Sequence, residues 1–490
     1  EGHGGSAASG GASPDFRLGE KVHAHFVVDS RRSIAATEGR IDRVLPGGSV
    51  EVTLGVGVRQ QIPMAWVQQK VDQAPPQQLP GARAPGSSGL VGLVNVGNSC
   101  YMNALLQCLA NAGDLVAYIL RNEHFENEIN SDNPLGTGGV VAREFRDVLK
   151  SMWSGVQQTA LSPWSFKAAV GRSAEQFSGN SQQDSHELAA YLLDALHEDL
   201  NRLRGPKPSV EFPELTPKAL QEKGEEHAAA ECWSLYLKRD RSVVVDLFQG
   251  QLRSQIRCLR CAFVSTKFDP FMYLTLPVVD ANGIPLHCLG DCLREFARQE
   301  LLCGTDQWFC RRCGTHVDAM KQLTVWKVPL LLLVHLKRFR HQTGLASTGF
   351  RDAGGPLAYA PQKLGHRVDF HVEGIDLRRE GVLPEGSLQK DAPVFDLFAL
   401  VDHFGSTSFG HYTAVVRHSA LGRWHRFDDE NVVAVSPAEV ATDKAYLLFF
   451  RRRGALLRKQ TRRLPEAWPH YINQAWPFIQ DEHAASSDEN

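Results

Sequence analysis

Three things are scarce in this chain of 490 residues. Cysteine is one: ten in the whole length is far too few for a disulfide scaffold. Net charge is another. Lys+Arg 53 against Asp+Glu 55 leaves −2, so no field of one sign advertises nucleic acid or an acidic lipid surface as partner. Long apolar runs are the third. The best, Val328 to Leu336, already contains Pro329 and His335 and falls well short of the ~18 residues that suggest a membrane span. The opening Glu1-Gly2-His3-Gly4-Gly5 has no basic stretch leading into an apolar one, so no secretory signal is visible. The expectation is a cytoplasmic and/or nuclear protein without a membrane partner. Its thiols are then reduced and available for catalysis or metal.

What is present is a folded composition, 22% charged and 43% hydrophobic. At about 150 residues per domain the length suggests about three domains. Residues 1–13 are Gly/Ser/Ala-rich and expected to be disordered. Residues 14–72 alternate in short runs punctuated by turns such as Pro46-Gly47-Gly48, as in a small SH3-like or Tudor-like β-barrel. Such a barrel could take a protein ligand or be a bland accessory; no clear aromatic cage is evident in it. A Pro/Gln/Gly-rich linker covers 73–89, a globular region runs from 90 to 453, and 454–490 form a tail. Within the globular region, 204–230 and 340–365 look like surface excursions.

Cys100 follows the turn-forming run Asn95-Val96-Gly97-Asn98-Ser99. It precedes Met102, Leu105, Leu106 and Leu109, spaced as on one face of an amphipathic helix. A thiol in a first helical turn meets free N–H groups and the positive end of the macrodipole, which favour its thiolate. Asn95 could aim its amide at a developing oxyanion. The competing reading is a small core residue at a helix start, and for Cys108 on the same helix that reading is preferred.

A cysteine nucleophile needs an imidazole. Gly410–Arg417 reads as a strand and Arg423–Phe427 as its return. A turn centred between Ser419 and Ala420 sets His411 opposite Asp428, and a slip of one residue in the centre brings Glu430 there instead. Cross-strand neighbours lie about 5 Å apart, so the run Asp428-Asp429-Glu430 can supply an acid that fixes the imidazole tautomer. His418 and His425 read as solvated bystanders.

Cys258-Leu259-Arg260-Cys261 and Cys310-Arg311-Arg312-Cys313 are two Cys-x-x-Cys pairs, read as a tetrahedral Zn²⁺ site with no open position in preference to redox pairs, because two copies occur and neither opens a thioredoxin-like βαβ pattern. The interval between them exceeds the ~15–20 residues of a simple ribbon and reads as an excursion clipped at its base by the metal. Cys303 lies close enough in sequence to substitute as a ligand.

Several blocks resemble the ubiquitin-specific proteases. Gly92-Leu93-Val94-Asn95-Val96-Gly97-Asn98-Ser99-Cys100-Tyr101-Met102-Asn103 is similar to their cysteine box. Phe409-Gly410-His411-Tyr412-Thr413-Ala414 with Trp424-His425-Arg426-Phe427-Asp428-Asp429 is similar to their histidine box. Gln182-Gln183-Asp184-Ser185-His186-Glu187-Leu188, Asp269–Pro277, His335–Phe339 and Ala445–Phe450 match further blocks in the family's order. Departures are Ser99 for the usual Thr, Val96 for Leu, His186 in a variable slot and His425 for a common aromatic, leaving an imidazole that could compete near the acid.

The resemblance covers about 90–453 and implies an α+β, papain-like core of fingers, palm and thumb. It also implies a thiol-dependent hydrolysis after the C-terminal glycine of ubiquitin, with ubiquitin and ubiquitinated proteins as partners. Carried over, Cys100 is the nucleophile, His411 the base, Asp428 the orienting acid, Asn95 the oxyanion amide and Asp429 an assisting acid. Gln183, Asp184 and Glu187 fall where the family meets the substrate tail. Cys258, Cys261, Cys310 and Cys313 hold one structural, non-catalytic zinc.

Overall fold

The computed structural model describes residues 88–154, 160–213, 215–340, 362–384, 387, 393–406 and 410–454, with strand backbone between Lys21 and Gln69. The readings for 1–13, for most of the 73–89 linker, for 341–361 and for the tail beyond 454 lie outside the described residues. The chain divides into two units, 1–84 and 85–490.

In the first unit, strands Lys21–Ala24, Thr37–Leu45, Ser49–Leu54, Arg59–Pro63 and Val67–Gln69 form one antiparallel sheet. The order across it runs from Arg59–Pro63 through Ser49–Leu54, Thr37–Leu45 and Lys21–Ala24 to Val67–Gln69. Thr37–Leu45 and Ser49–Leu54 pair with each other, their ladder setting Leu45 opposite Ser49, while the turn expected at Pro46-Gly47-Gly48 lies outside the described residues.

The second unit opens with helices. The three that build the site are α1 (Cys100–Leu109), α2 (Val140–Trp153) and α3 (Ser185–Asp199). All ten residues of α1 are buried, so it is a central helix wrapped on every side rather than the one-faced amphipathic helix its leucine spacing predicts. Its polar residues are used to hold the segment that leads into it. Gln107 donates to Val91 O at 2.8 Å, and Asn103 to Leu93 O and Val94 O at 3.3 Å. That segment is also stitched elsewhere, by Gly89 N–H to Met152 O at 2.9 Å and Leu93 N–H to Asp429 O at 2.8 Å.

Strands follow: β1 (Gly250–Cys258), β2 (Val264–Phe271), β3 (Tyr273–Pro277), β4 (Ala319–Lys327), β5 (Leu331–Lys337), β6 (Val394–Gly405), β7 (Gly410–Arg417), β8 (Trp424–Asp428), β9 (Asn431–Val435) and β10 (Ala445–Arg452). The main eight-stranded sheet has the order β3-β5-β10-β6-β7-β8-β9, with Ile375–Asp376 paired beside β6. Only β3 and β5 run parallel among these neighbours. The apolar run around Val328–Leu336 is explained here. Leu331 and Leu333 of β5 face the helices, while Leu332, Val334 and Leu336 face a second core beneath the sheet. A strand buried on both faces has no polar alternation.

A smaller sheet, β2-β1-β4 with Glu300–Leu302 at its edge, ends at the first cysteine pair, and a separate two-stranded ribbon, Trp308–Cys310 with Thr315–Val317, carries the second. This is the papain-like α+β division: helices as thumb, main sheet as palm, small sheet as fingers. Two expectations change. The stretch between the cysteine pairs is no hanging excursion, because it supplies β2, β3 and the helix Leu289–Phe296, whose Leu289, Cys292 and Leu293 enter the second core. Residues 204–230 are more regular than read, with helices Pro217–Lys223 and Glu225–Tyr236, the latter packing Ala228, Ala229 and Cys232 against Phe268. Among the described residues no single helix is long and apolar enough to cross a membrane.

Candidate active site

Cys100 is the first residue of α1 and only 3% exposed. The preceding loop is left-handed at Gly97 (φ 99°) and Asn98 (φ 49°). Asn95 organises it: its side-chain oxygen accepts the N–H of Gly97 at 3.2 Å and of Ser99 at 3.0 Å. Its Nδ2 donates to Asp429 at 2.9 Å, leaving one amide hydrogen over.

α1 packs against β7, and this brings His411 to the thiol. His411 Nε2 lies 2.6 Å from Asp428 Oδ1. The Asp428 bond and a second bond to the Cys100 thiol outweigh burial and push the imidazole up to about 10, so the imidazolium is favoured. The same bond holds the Asp428 carboxyl below its ordinary range. Asp429 goes the other way: burial raises it, although Asn103 at 2.8 Å and Asn95 both donate to it. The β8–β9 connection is the two-residue turn Asp429-Glu430, left-handed at Asp429 (φ 48°), which aims these adjacent carboxylates apart.

The hairpin register differs from the expectation. The pairs are Ala414 with Phe427 and Arg417 with Trp424, so an extended ladder would set Glu430, not Asp428, opposite His411. The loop is Ser419–Gly422, closed by His418 N–H to Arg423 O at 2.9 Å and by Gly422 N–H to His418 O at 2.8 Å, with Gly422 left-handed. The ladder stops at Ala414, and His411 reaches Asp428 along the diagonal on the same face. Glu430 instead accepts the Asn95 N–H at 3.0 Å.

His418 and His425 are bystanders to the chemistry, but they are buried rather than solvated. His418 is 2% exposed, and its Nε2 lies 2.8 Å from Ser88 O. His425 bonds Arg423 O at 3.2 Å and, three residues from Asp428 on one strand, lies on the other face, so it does not compete for the acid. Cys108 is a core thiol, pushed up by burial.

Asp184 caps α3 through His186 N–H at 2.7 Å and also accepts the Tyr446 hydroxyl at 2.6 Å. Glu187, one turn on, is exposed and raised by partial burial and by Asp184. Gln183 is half-buried beside them.

Gln182, given no role in sequence, is the member of this motif that reaches the reacting groups. Its carboxamide accepts from Gly410 N–H at 2.7 Å, donates to Gly410 O, and sets Nε2 3.8 Å from Cys100 Sγ. A Cβ on Gly410 would collide with the His403 ring and Phe404 O, so the backbone beside His411 is gripped from both sides. Asn103 and Lys167, which holds the carbonyls of Val96 and Gly97, were also missed. An amide or ammonium serving a distant backbone leaves no local pattern.

The four cysteines of the two pairs converge. Sγ atoms of Cys258 and Cys313 are 3.9 Å apart and those of Cys261 and Cys310 are 3.7 Å apart. Four thiolates about 2.3 Å from a tetrahedral ion would be about 3.8 Å apart, so the set can hold a metal. Each pair makes the same knuckle, left-handed at Ala262 (φ 57°) and Gly314 (φ 67°), four residues after its first cysteine. Cys303 is exposed and outside the cluster. The grouping of His197, Glu198 and Asp240 already has its cation: Lys207 Nζ lies 2.6 Å from Glu198 and 2.5 Å from Asp240.

Comparison with known proteins agrees with this geometry. Ubiquitin carboxyl-terminal hydrolase 2 of Rattus norvegicus is 35% identical over 365 residues, covering 74% of this chain and 54% of that protein. Ubiquitin carboxyl-terminal hydrolase 4 of Eremothecium gossypii is 34% identical over 374 residues, covering 74% and 42%. The chain thus spans about half the length of the curated relatives it matches. Among solved structures, the SAGA Ubp8/Sgf11/Sus1/Sgf73 DUB module bound to ubiquitin aldehyde has a similar fold, with a TM-score of 0.55 and 23% identity over 75% of this chain and 70% of that one. The family model described as Ubiquitin carboxyl-terminal hydrolase matches residues 91–450, and the chain belongs to that family.

Proposed function

We propose that this chain is a thiol-dependent deubiquitinase, cleaving the isopeptide or peptide bond after the C-terminal glycine of ubiquitin. The observation that carries the reading is the imidazole of His411, shared between Asp428 and the thiol of Cys100 at a helix N-terminus. An imidazolium beside a thiol at the positive end of a helix favours the thiolate. That thiolate attacks the carbonyl carbon of the terminal glycine. The spare Asn95 hydrogen and the Cys100 N–H at the start of α1 receive the oxyanion. His411 returns the proton to the departing lysine amine, and water, activated by the same imidazole, releases ubiquitin from the thioester.

Asp184 and Glu187 present carboxylates at the start of α3, and with Gln183 they suit an Arg-rich peptide tail, since carboxylates pair bidentately with guanidinium. Cys258, Cys261, Cys310 and Cys313 are assigned one structural Zn²⁺, which the sulfur spacing suits. Residues 14–72 are assigned to an SH3/Tudor-like barrel, a candidate site for a protein ligand. A reducing compartment, cytoplasm and/or nucleus, suits a site that needs five free thiols.

The test is labelling of the full chain by ubiquitin carrying a C-terminal electrophile. One adduct per chain is expected, and none in Cys100→Ala. Persistent labelling of that variant at another thiol would refute the assignment, and a silent parent would point to a ubiquitin-binding scaffold of the same fold.

A further inference from the structure

The helix Trp164–Ser173 contributes one polar side chain to the interior, Lys167, which is 4% exposed. A buried ammonium ordinarily finds a carboxylate. This one has none among the described residues. Its Nζ donates instead to Val96 O at 3.1 Å, Gly97 O at 3.2 Å and Asn180 Oδ1 at 2.9 Å, which uses all three of its hydrogens. Burial without a counter-charge lowers its pKa. That is a costly way to tie down a loop, and the loop is the one that leads into Cys100.

The geometry points to Lys167, with Asn180, as the positioning residue of the oxyanion loop Asn95–Ser99. This deepens the hydrolase reading and rests on it. Across a trans peptide, carbonyl and following N–H point to opposite sides. With Val96 O turned onto Lys167, the Gly97 N–H faces the other way, onto Asn95 Oδ1. With Gly97 O also on Lys167, the Asn98 N–H is turned away from the ammonium. Two consecutive carbonyls are thereby held on one side, in a segment that is left-handed at Gly97 and Asn98.

Asn180 completes the clamp. Its backbone oxygen accepts Asn98 Nδ2 at 2.8 Å, and its side chain stands so close to Gly97 that a Cβ there would lie 2.6 Å from Asn180 Oδ1. Among the described residues no hydrogen bond or ion pair joins the clamp to His411, Asp184 or Glu187. It acts by holding the Asn95 amide where the tetrahedral intermediate places its negative oxygen, so it serves the step that builds charge on the substrate carbonyl and not the generation of the thiolate.

The separating experiment compares three reactions of the parent and Lys167→Met, with Asn180→Ala as a second variant. In hydrolysis of a fluorogenic ubiquitin C-terminal amide, kcat is expected to fall by about 10²-fold, the worth of an oxyanion donor, with KM within about twofold. Inhibition by ubiquitin aldehyde, which forms an anionic tetrahedral adduct, is expected to weaken similarly. Alkylation of Cys100 by iodoacetamide, which builds no oxyanion, is expected to change by less than about twofold. Equal losses in hydrolysis and alkylation would reduce Lys167 to a merely structural role, and an unchanged kcat in both variants would refute the proposal outright. A parent that hydrolyses no ubiquitin substrate would instead refute the hydrolase reading on which it rests.

Discussion

Asp428 matters because it decides over which pH range His411 is charged. Its 2.6 Å bond is the larger of the two contributions that raise the imidazole to about 10, the Cys100 thiol being the other. The imidazolium is the acid that protonates the departing amine, so hydrolysis is lost as pH rises through that value and the proton leaves. In Asp428→Asn the carboxylate is gone, and the alkaline limb of a profile of kcat/KM for hydrolysis of a ubiquitin C-terminal amide is expected to move down toward the ordinary histidine value of about 6.5. An alkaline limb that stays in place in this variant would contradict the assigned order of causes. Residues such as Cys100 and His411 were legible because each sits in a local pattern, a turn before a helical repeat or a strand before a hairpin. Gln182 and Lys167 were not, because their partners Gly410, Val96 and Gly97 are brought to them by the fold.

Elements were legible in kind more than in register. The hairpin carrying His411 was read correctly as two strands, yet its turn sits one residue further along. The left-handed Gly422 selects the four-residue loop, and a period-two pattern does not reveal which of two adjacent turn centres the chain closes. The fingers show the converse. Two identical knuckles were evident from spacing, whereas the return of β3 to the main sheet between them was not. Metal is expected to hold the knuckles at the ends of β1 and Trp308–Cys310. Elemental analysis should find close to one zinc per chain. Chelation or Cys310→Ser should expose knuckle thiols to titration and speed proteolysis of the fingers while leaving the α1–β7 contact in place. A metal-free protein with unchanged protease resistance would count against the site.

For the whole molecule, division of its length by a typical domain size overcounts, because both cores of the second unit share one sheet. Leu331 faces one core and Leu332 the other. Those cores also contain histidines kept neutral by burial, among them His403 at about 3 and His418 at about 4. Since the unfolded chain takes up protons at these sites below about 6.5 while the fold does not, stability falls as pH drops from there. At pH 5 each should cost about 2 kcal/mol, read as a lower urea midpoint than at pH 7; equal midpoints would contradict it. The path of the chain into the nucleophile has a mechanical side. Within a dozen residues it is stitched to the end of α2, to the backbone of Asp429 and, through Asn95 N–H, to Glu430. Tension on the upstream segment therefore has a short load path: it strains the joint to the end of α2 first, and a few residues later reaches those that hold the Asp429-Glu430 turn.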